Sequence, residues 1–152
     1  MAIIRPFKGI RPAKDKVHLI TSRSFDTYDP DVIRDKLKNN PFSFLQIIKP
    51  DSLRSNGKPK SKEKLEAIKL RFKEFIKESY LAKDEKESFY IYQQISHGST
   101  YTGIIGCVSV DDYLNGVIKT HEKTLGKREE MMMDYLRVVD INAEPVCLTY
   151  PD

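Results

Sequence analysis

The amino-acid sequence predicts an α+β fold, a mixed sheet with a central antiparallel hairpin and helices packed against it. Three observations predict it. Phe89 to Ile95 alternates in side, breaks at His97-Gly98-Ser99 and returns through Tyr101 to Val110, which is the pattern of a hairpin. Leu65, Ile68, Phe72, Phe75 and Ile76 recur at the 3.6-residue spacing of an amphipathic helix. Helices and strands follow one another without strict strand–helix–strand alternation, which separates α+β from the parallel α/β class.

Taken in order, Ile3 to Arg5 reads as a first strand limited by Pro6. Ile10-Arg11-Pro12 restarts an extended path, because a residue before proline avoids the helical basin. His18, within Val17-His18-Leu19-Ile20, is read as a strand position with its ring satisfied. Asp29-Pro30 gives an N-cap followed by proline at the first helical position. That helix runs to about Lys38 with Ile33 and Leu37 on one face, and Asn39-Asn40-Pro41 ends it. Phe42 to Lys49 reads as a strong strand, and Arg54 to Ser61 as a polar loop. Ser61 then opens the longest helix, whose apolar stripe is expected to lie across a sheet. In the returning hairpin strand, Gly103 and Gly106 mark a bend or a close approach of another group. Ser109-Val110-Asp111-Asp112 resembles a capping box, and the helix after it would carry Leu114, Val117, Ile118 and His121 on one face. Lys127 to Val138 is a further helix with Met132, Met133 and Leu136 turned inward, and Pro145 to Tyr150 a final strand.

The 152 residues, 39% hydrophobic and 32% charged, suit one domain spanning 1–152 with a real core. The N-terminus is too quickly charged for a signal peptide, and no apolar run approaches the roughly 18 residues that span a bilayer. A cytoplasmic protein without a membrane partner is expected. Cys107 and Cys147 sit among apolar neighbours and read as buried, reduced thiols. The net charge of +4 is concentrated between Arg54 and Lys86, where eleven bases face six acids. Such a region could draw a partner protein or nucleic acid. Lys and Glu interspersed on a solvated helix face explain it more simply, and nucleic acid is the less favoured partner.

Chemistry-bearing groups concentrate in Val117-Ile118-Lys119-Thr120-His121-Glu122-Lys123-Thr124. An imidazole, a carboxylate, hydroxyls and ammonium groups within eight residues suit proton or phosphoryl transfer. The residues alone leave another reading open, in which His121 caps a helix C-terminus and Glu122 pairs with Lys119 or Lys123 in water. A metal site is not expected: His18, His97 and His121 lack i, i+4 partners, and position 125 is Leu where a second zinc-binding His would stand. No phosphate-cradling glycine loop and no GxSxG elbow occur.

The run Tyr101-Thr102-Gly103-Ile104-Ile105-Gly106-Cys107-Val108-Ser109-Val110-Asp111-Asp112-Tyr113, with His121-Glu122 and Thr124 after it, resembles domain-of-unknown-function family 1015. Ile4 to Pro12, Asn40-Pro41-Phe42-Ser43-Phe44-Leu45, and Asn142 with Pro145-Val146 and Leu148-Thr149-Tyr150 are similar to further stretches of that family. Family members are longer and carry Asp-Gly-His-His-Arg, a motif absent here, so this chain would be the N-terminal portion of the architecture and its site incomplete. With a preceding His-Glu, that motif is similar to what ParB-like kinases of free serine carry. The resemblance implies a ParB/sulfiredoxin-like fold and nucleotide-dependent phosphoryl transfer, from ATP or ADP with Mg²⁺, to a small hydroxyl metabolite. It implies Glu122 as general base and His121 beside it. Lys119, Thr124, Lys127 and Arg128 would face the nucleotide phosphates, the last three around a helix N-terminus that suits an anion. A homo-oligomer is a further expectation, with Met131 to Tyr135 as a surface, although core packing explains those methionines more simply.

Overall fold

The computed structural model describes residues 2–23, 27–48, 62–119, 126–143 and 145–149, with the backbone alone at 127, 128 and 131. The chain runs β1 (Ile4–Arg5), β2 (Ile10–Pro12), α1 (Val17–Ile20), α2 (Pro30–Asn39), α3 (Leu45–Ile48), α4 (Lys62–Lys77), β3 (Leu81–Lys83), β4 (Tyr90–Ser96), β5 (Ser99–Ile105), β6 (Cys107–Val108), α5 (Val110–Leu114) and α6 (Gly126–Val139). The class is α+β. In place of one mixed sheet, the described strands form three two-stranded ladders, β1 with β6, β2 with β3 and β4 with β5. Apart from the hairpin, these strands are two or three residues long, too short to build a wide sheet. The chain divides into two compact units: unit 1 is Met1–Ile10 with Lys83–Lys123, and unit 2 is Arg11–Ala82 with Thr124–Asp152.

Unit 2 holds every buried hydrophobic side chain among the described residues. Ile20, Ile47, Leu65, Ile68, Phe75, Leu81 and Val139 form its main cluster, and Ile33, Leu37 and Leu45 a second. α2 forms as expected, with Asp29 as N-cap, Pro30 in the first turn, and Ile33 and Leu37 inward. The Asp29 side chain makes no capping hydrogen bond; its carbonyl accepts the Ile33 N–H. α4 buries Leu65, Ile68 and Phe75 but leaves Ile76 exposed. Its stripe meets α3 and α6, helices where a sheet was expected.

The strand expected over Phe42 to Lys49 is instead a turn leading into helix α3; residue 49 lies outside the described set. Local polar groups decide this. The Asn40 carboxamide oxygen accepts the Phe42 N–H at 3.0 Å, and the Ser43 hydroxyl accepts the Leu45 N–H at 3.3 Å. Both bonds curl the backbone, as Asn and Ser do at helix starts. Arg71 clamps this turn onto α4: it donates to the Pro41 carbonyl and to Glu74, each at 2.7 Å, and lies over the Phe75 ring. Residues 17–20 likewise form a helical turn, α1, with His18 exposed, where an extended segment was expected. α6 turns Tyr135, Val138 and Val139 inward, so Met132, Met133 and Leu136 stand exposed, one step out of the expected phase. Residues 145–149 form no strand.

Unit 1 is built on the β4–β5 hairpin, in register from Tyr90 opposite Ile105 to Ser96 opposite Ser99. His97 and Gly98 both take positive φ, 49° and 78°, which two-residue turns of this hand require. The first strand, β1, pairs antiparallel with β6, Ile4 opposite Val108 and Arg5 opposite Cys107. Tyr90 fastens the following segment. Its hydroxyl accepts the Gly9 N–H at 2.7 Å and donates to the Asp84 carboxylate at 2.6 Å, and its ring tilts against Phe7 at 5.0 Å. The Phe7–Ser88 backbone pair and the Asp84 N–H to Gly9 carbonyl bond close the same corner. Glycine is needed at both close approaches. A Cβ at position 9 would lie 2.7 Å from the Tyr90 hydroxyl, and one at position 106 would lie 2.7 Å from Ile4 Cγ2. Gly106 therefore meets the expectation of a close approach, whereas Gly103 faces open space. Cys107 and Cys147 are both free and exposed, against the expectation of burial. Their apolar neighbours Val108, Val146 and Leu148 are themselves exposed.

Three measurements check this description. Gly9→Ala forces a methyl against a ring held by hydrogen bonds and should lower stability in urea by about 1–3 kcal/mol. In a Tyr90→Phe background the same change should cost less, because a ring no longer held by its hydroxyl's hydrogen bonds can move away from the methyl. Ile68→Ala should cost about 2–5 kcal/mol, while Leu70→Ala on the exposed side of α4 stays within about 0.5 kcal/mol. Finally, a thiol-reactive disulfide reagent should titrate both cysteines in the native protein; a thiol silent until denaturant is added would place that cysteine in a core.

Candidate functional site

The site-bearing segment begins at α5, whose start follows the sequence closely. The Ser109 hydroxyl accepts the Asp111 N–H at 3.2 Å. The acid of the expected capping box does something else. Asp112 turns its Oδ2 to the Ile3 N–H, 2.8 Å away and 109 positions earlier in the chain, so it ties β1's approach to the helix. The expected longer helix also stops early. Asn115 donates to the Asp111 carbonyl at 2.8 Å, and Gly116 takes a φ of 72°, which ends the helix after Leu114. Val117 and Ile118 therefore do not continue a helical face with Leu114. Instead the Ile118 N–H returns to the Asp112 carbonyl at 3.0 Å and folds the next residues over the helix.

This turn forms an open depression of about 480 Å³, lined by Tyr113, Leu114, Gly116, Ile118 and Lys119. Its lining mixes polar and apolar surface: the Tyr113 ring and Leu114 are exposed, and Ile118 is half-buried. Lys119 is exposed and is the only cation among the described lining residues. Such a surface offers a ligand an aromatic ring, aliphatic side chains and one cation. Tyr113 and Ile118 were not expected as site residues; Ile118 was expected on a helix face with Leu114. The signal for the turn was there, in a glycine four residues after the second acid of the cap.

Of the residues expected at the site, Lys119 is thus at a depression. His121, Glu122 and Thr124 lie outside the described residues. Lys127 and Arg128 fall in the first turn of α6, with backbone alone described. That helix begins at Gly126, two residues after Thr124, and at 14 residues is long enough to present donor groups and a positive dipole end. Among the described residues no group of three His, Cys, Asp or Glu is placed to hold a metal ion.

The basic region is described from Lys62 onward; Lys58 and Lys60 lie outside. On α4, Lys62, Lys73 and Lys77 alternate with Glu63, Glu66 and Glu74 on the exposed side. The Arg71 guanidinium is engaged by Glu74 and Pro41. Asp15 and Lys16 form a solvent-exposed surface pair 2.7 Å apart whose titrations are displaced. Their mutual hydrogen bond holds the carboxyl below and the ammonium above its ordinary value. His97 stands exposed at the hairpin turn, its Nδ1 2.9 Å from the Ser96 hydroxyl. No described helix is long and apolar enough to cross a membrane.

Comparison with known proteins gives one match. The family model described as protein of unknown function (DUF1015) matches residues 4–152. No curated protein matches the chain. No solved structure matches it either. The match runs unbroken from β1 through the Ser109–Lys119 turn to α6 and beyond, and the chain belongs to the DUF1015 family.

Proposed function

We propose that this chain supplies the nucleotide-facing part of a ParB-like phosphotransferase site, acting on a small hydroxyl metabolite with ATP or ADP and Mg²⁺. The observation that carries the reading is the place of Lys119: it lines a depression beside the Tyr113 ring, two residues before His121-Glu122. In sequence, Thr124 precedes α6 and Lys127 and Arg128 fall in its first turn, and the N-terminus of a helix of this length suits an anion. The residues fit a nucleotide, with an apolar wall for the base and a cation toward the phosphates. They offer no described metal cluster, so Mg²⁺ would arrive held by the phosphates.

The bound nucleotide supplies the phosphoryl group and its metal ion spreads the charge of the transferring oxygens. The protein's part is positioning and proton handling. Glu122 accepts the proton of the acceptor hydroxyl as that oxygen bonds to phosphorus and the bond to the departing nucleotide breaks. Lys119 and His121 hold phosphate oxygens. Tyr113 and Leu114 give the base an apolar surface. Family members carry part of their motif in a further segment, so binding is the property to measure first in this chain.

Mg-ADP or Mg-ATP at millimolar concentration should raise the melting temperature by a few degrees, since a ligand binding only the folded state stabilises it by RT ln(1 + [L]/Kd). Lys119→Ala should remove most of that shift. Glu122→Gln should keep it while abolishing any transfer to free serine, the first acceptor to try. The absence of a shift with either nucleotide would rule the reading out.

A further inference from the structure

We propose that the β4–β5 hairpin is a self-association arm, and that the occupant of its exposed apolar face is the same face of a second copy of this chain. The register decides which side chains share a face. Ile91 stands opposite Ile104, Gln93 opposite Thr102, and Ile95 opposite Thr100. These six residues therefore project from one side of the ribbon. Its three isoleucines are 81%, 73% and 72% exposed at positions 91, 95 and 104. Scattered exposed apolar residues are ordinary, but here Ile91 and Ile104 stand side by side and Ile95 shares their face beyond the Gln93–Thr102 pair.

Two features select a second copy. The first is charge. From Phe89 to Val110 the chain contains no Asp, Glu, Lys or Arg, although 32% of the whole sequence is charged. The next longest such run, 39–48, is less than half as long. Proteins ordinarily guard exposed strands with charges, Lys above all, or with proline. An isologous two-fold contact brings a patch against its own image, so a patch carrying one sign of charge would be repelled by its copy. A face without charges, with isoleucines on either side of a central Gln93–Thr102 pair, can set its apolar and its hydrogen-bonding groups against those of its own copy. An oppositely charged partner would find nothing to pair with.

The second feature is the composition of unit 1. Among the described residues it has no buried hydrophobic side chain, so its hairpin lacks the packed layer that sheets need. Two such faces stacked about 10 Å apart would form one. The size of the patch sets the strength. Seven-residue strands make a face about 24 Å long and about 10 Å wide. That is well below the roughly 800 Å² per partner of a standard interface, so the dimer is a weak one.

Sedimentation equilibrium of the full chain from about 5 μM to about 1 mM tests this. The wild-type protein should move from monomer toward dimer across that range. Ile104→Lys and Ile104→Glu should each remain monomeric throughout, with unchanged circular dichroism and melting temperature at low concentration. An equimolar mixture of the two should associate again, a recovery that simple misfolding would not give. Monomeric wild type at 1 mM would overturn the proposal, whether the face is then bare or covered by another protein. So would dimerisation of the lysine variant equal to wild type, or failure of the mixture to recover.

Discussion

Asp112 carries two jobs that the rest of unit 1 depends on. Its carboxylate receives the Ile3 N–H, and its carbonyl receives the Ile118 N–H. One residue thus joins the start of the chain to the turn that presents Lys119. A carboxylate accepting a backbone N–H is a charge-assisted bond, stronger than a neutral one and shorter at its best. Ser109 sets the direction of α5, Gly116 stops it, and the short helix leaves Asp112 at the point where β1 arrives. Had the helix continued, the Ile118 amide would have been spent inside it and the depression would not form.

The two units are stabilised differently. Unit 2 is dry: Phe75, Ile68, Ile47 and Ile20 are essentially inaccessible and bring together α1, α3 and α4. Its stability comes from apolar burial, with Arg71 and Asn40 fixing the turns between helices. Unit 1 is held by polar joints, chiefly the Tyr90 hydroxyl with Gly9 and Asp84 and the Asp112 contacts, together with two short ladders. Each net hydrogen bond stabilises by about 1 kcal/mol, so the loss of one joint is a large fraction of what such a unit has. A unit of that kind gains most from a ligand or a partner, because binding adds the burial it lacks.

Sequence periodicity found elements whose signals are local. The hairpin followed from its alternation and its His-Gly turn, α2 from Asp29-Pro30, and α4 from its apolar spacing. Where tertiary context decides, the sequence misled. Phe42 to Ile48 is apolar enough for a strand, but Asn40 and Ser43 curl it, and that polar signal was outweighed by composition. Met132, Met133 and Leu136 have helical spacing like Tyr135, Val138 and Val139, and only the neighbours of α6 decide which face turns inward. The cysteines show the same limit: apolar flanks predict burial only if something covers them. At the site, Lys119 was legible because it sits in a dense run of reactive groups. Asp112 was recognised as an acid but given a capping role, since a bond spanning 109 positions leaves no mark in local spacing.

A family match across residues 4–152 gives these features a common frame. The Ser109–Lys119 turn precedes the His121-Glu122 motif directly in sequence, and the proposed phosphate contact of Lys119 needs that turn held in one conformation. Amide hydrogen exchange at Ile3 and Ile118 measures this directly. In the wild-type protein both amides should exchange at least tenfold more slowly than unstructured peptide, and in Asp112→Ala both should accelerate together while the β4–β5 amides keep their protection. Rapid exchange at Ile118 in the wild type, or protection there that survives the loss of the Asp112 carboxylate, would contradict the role given to this residue.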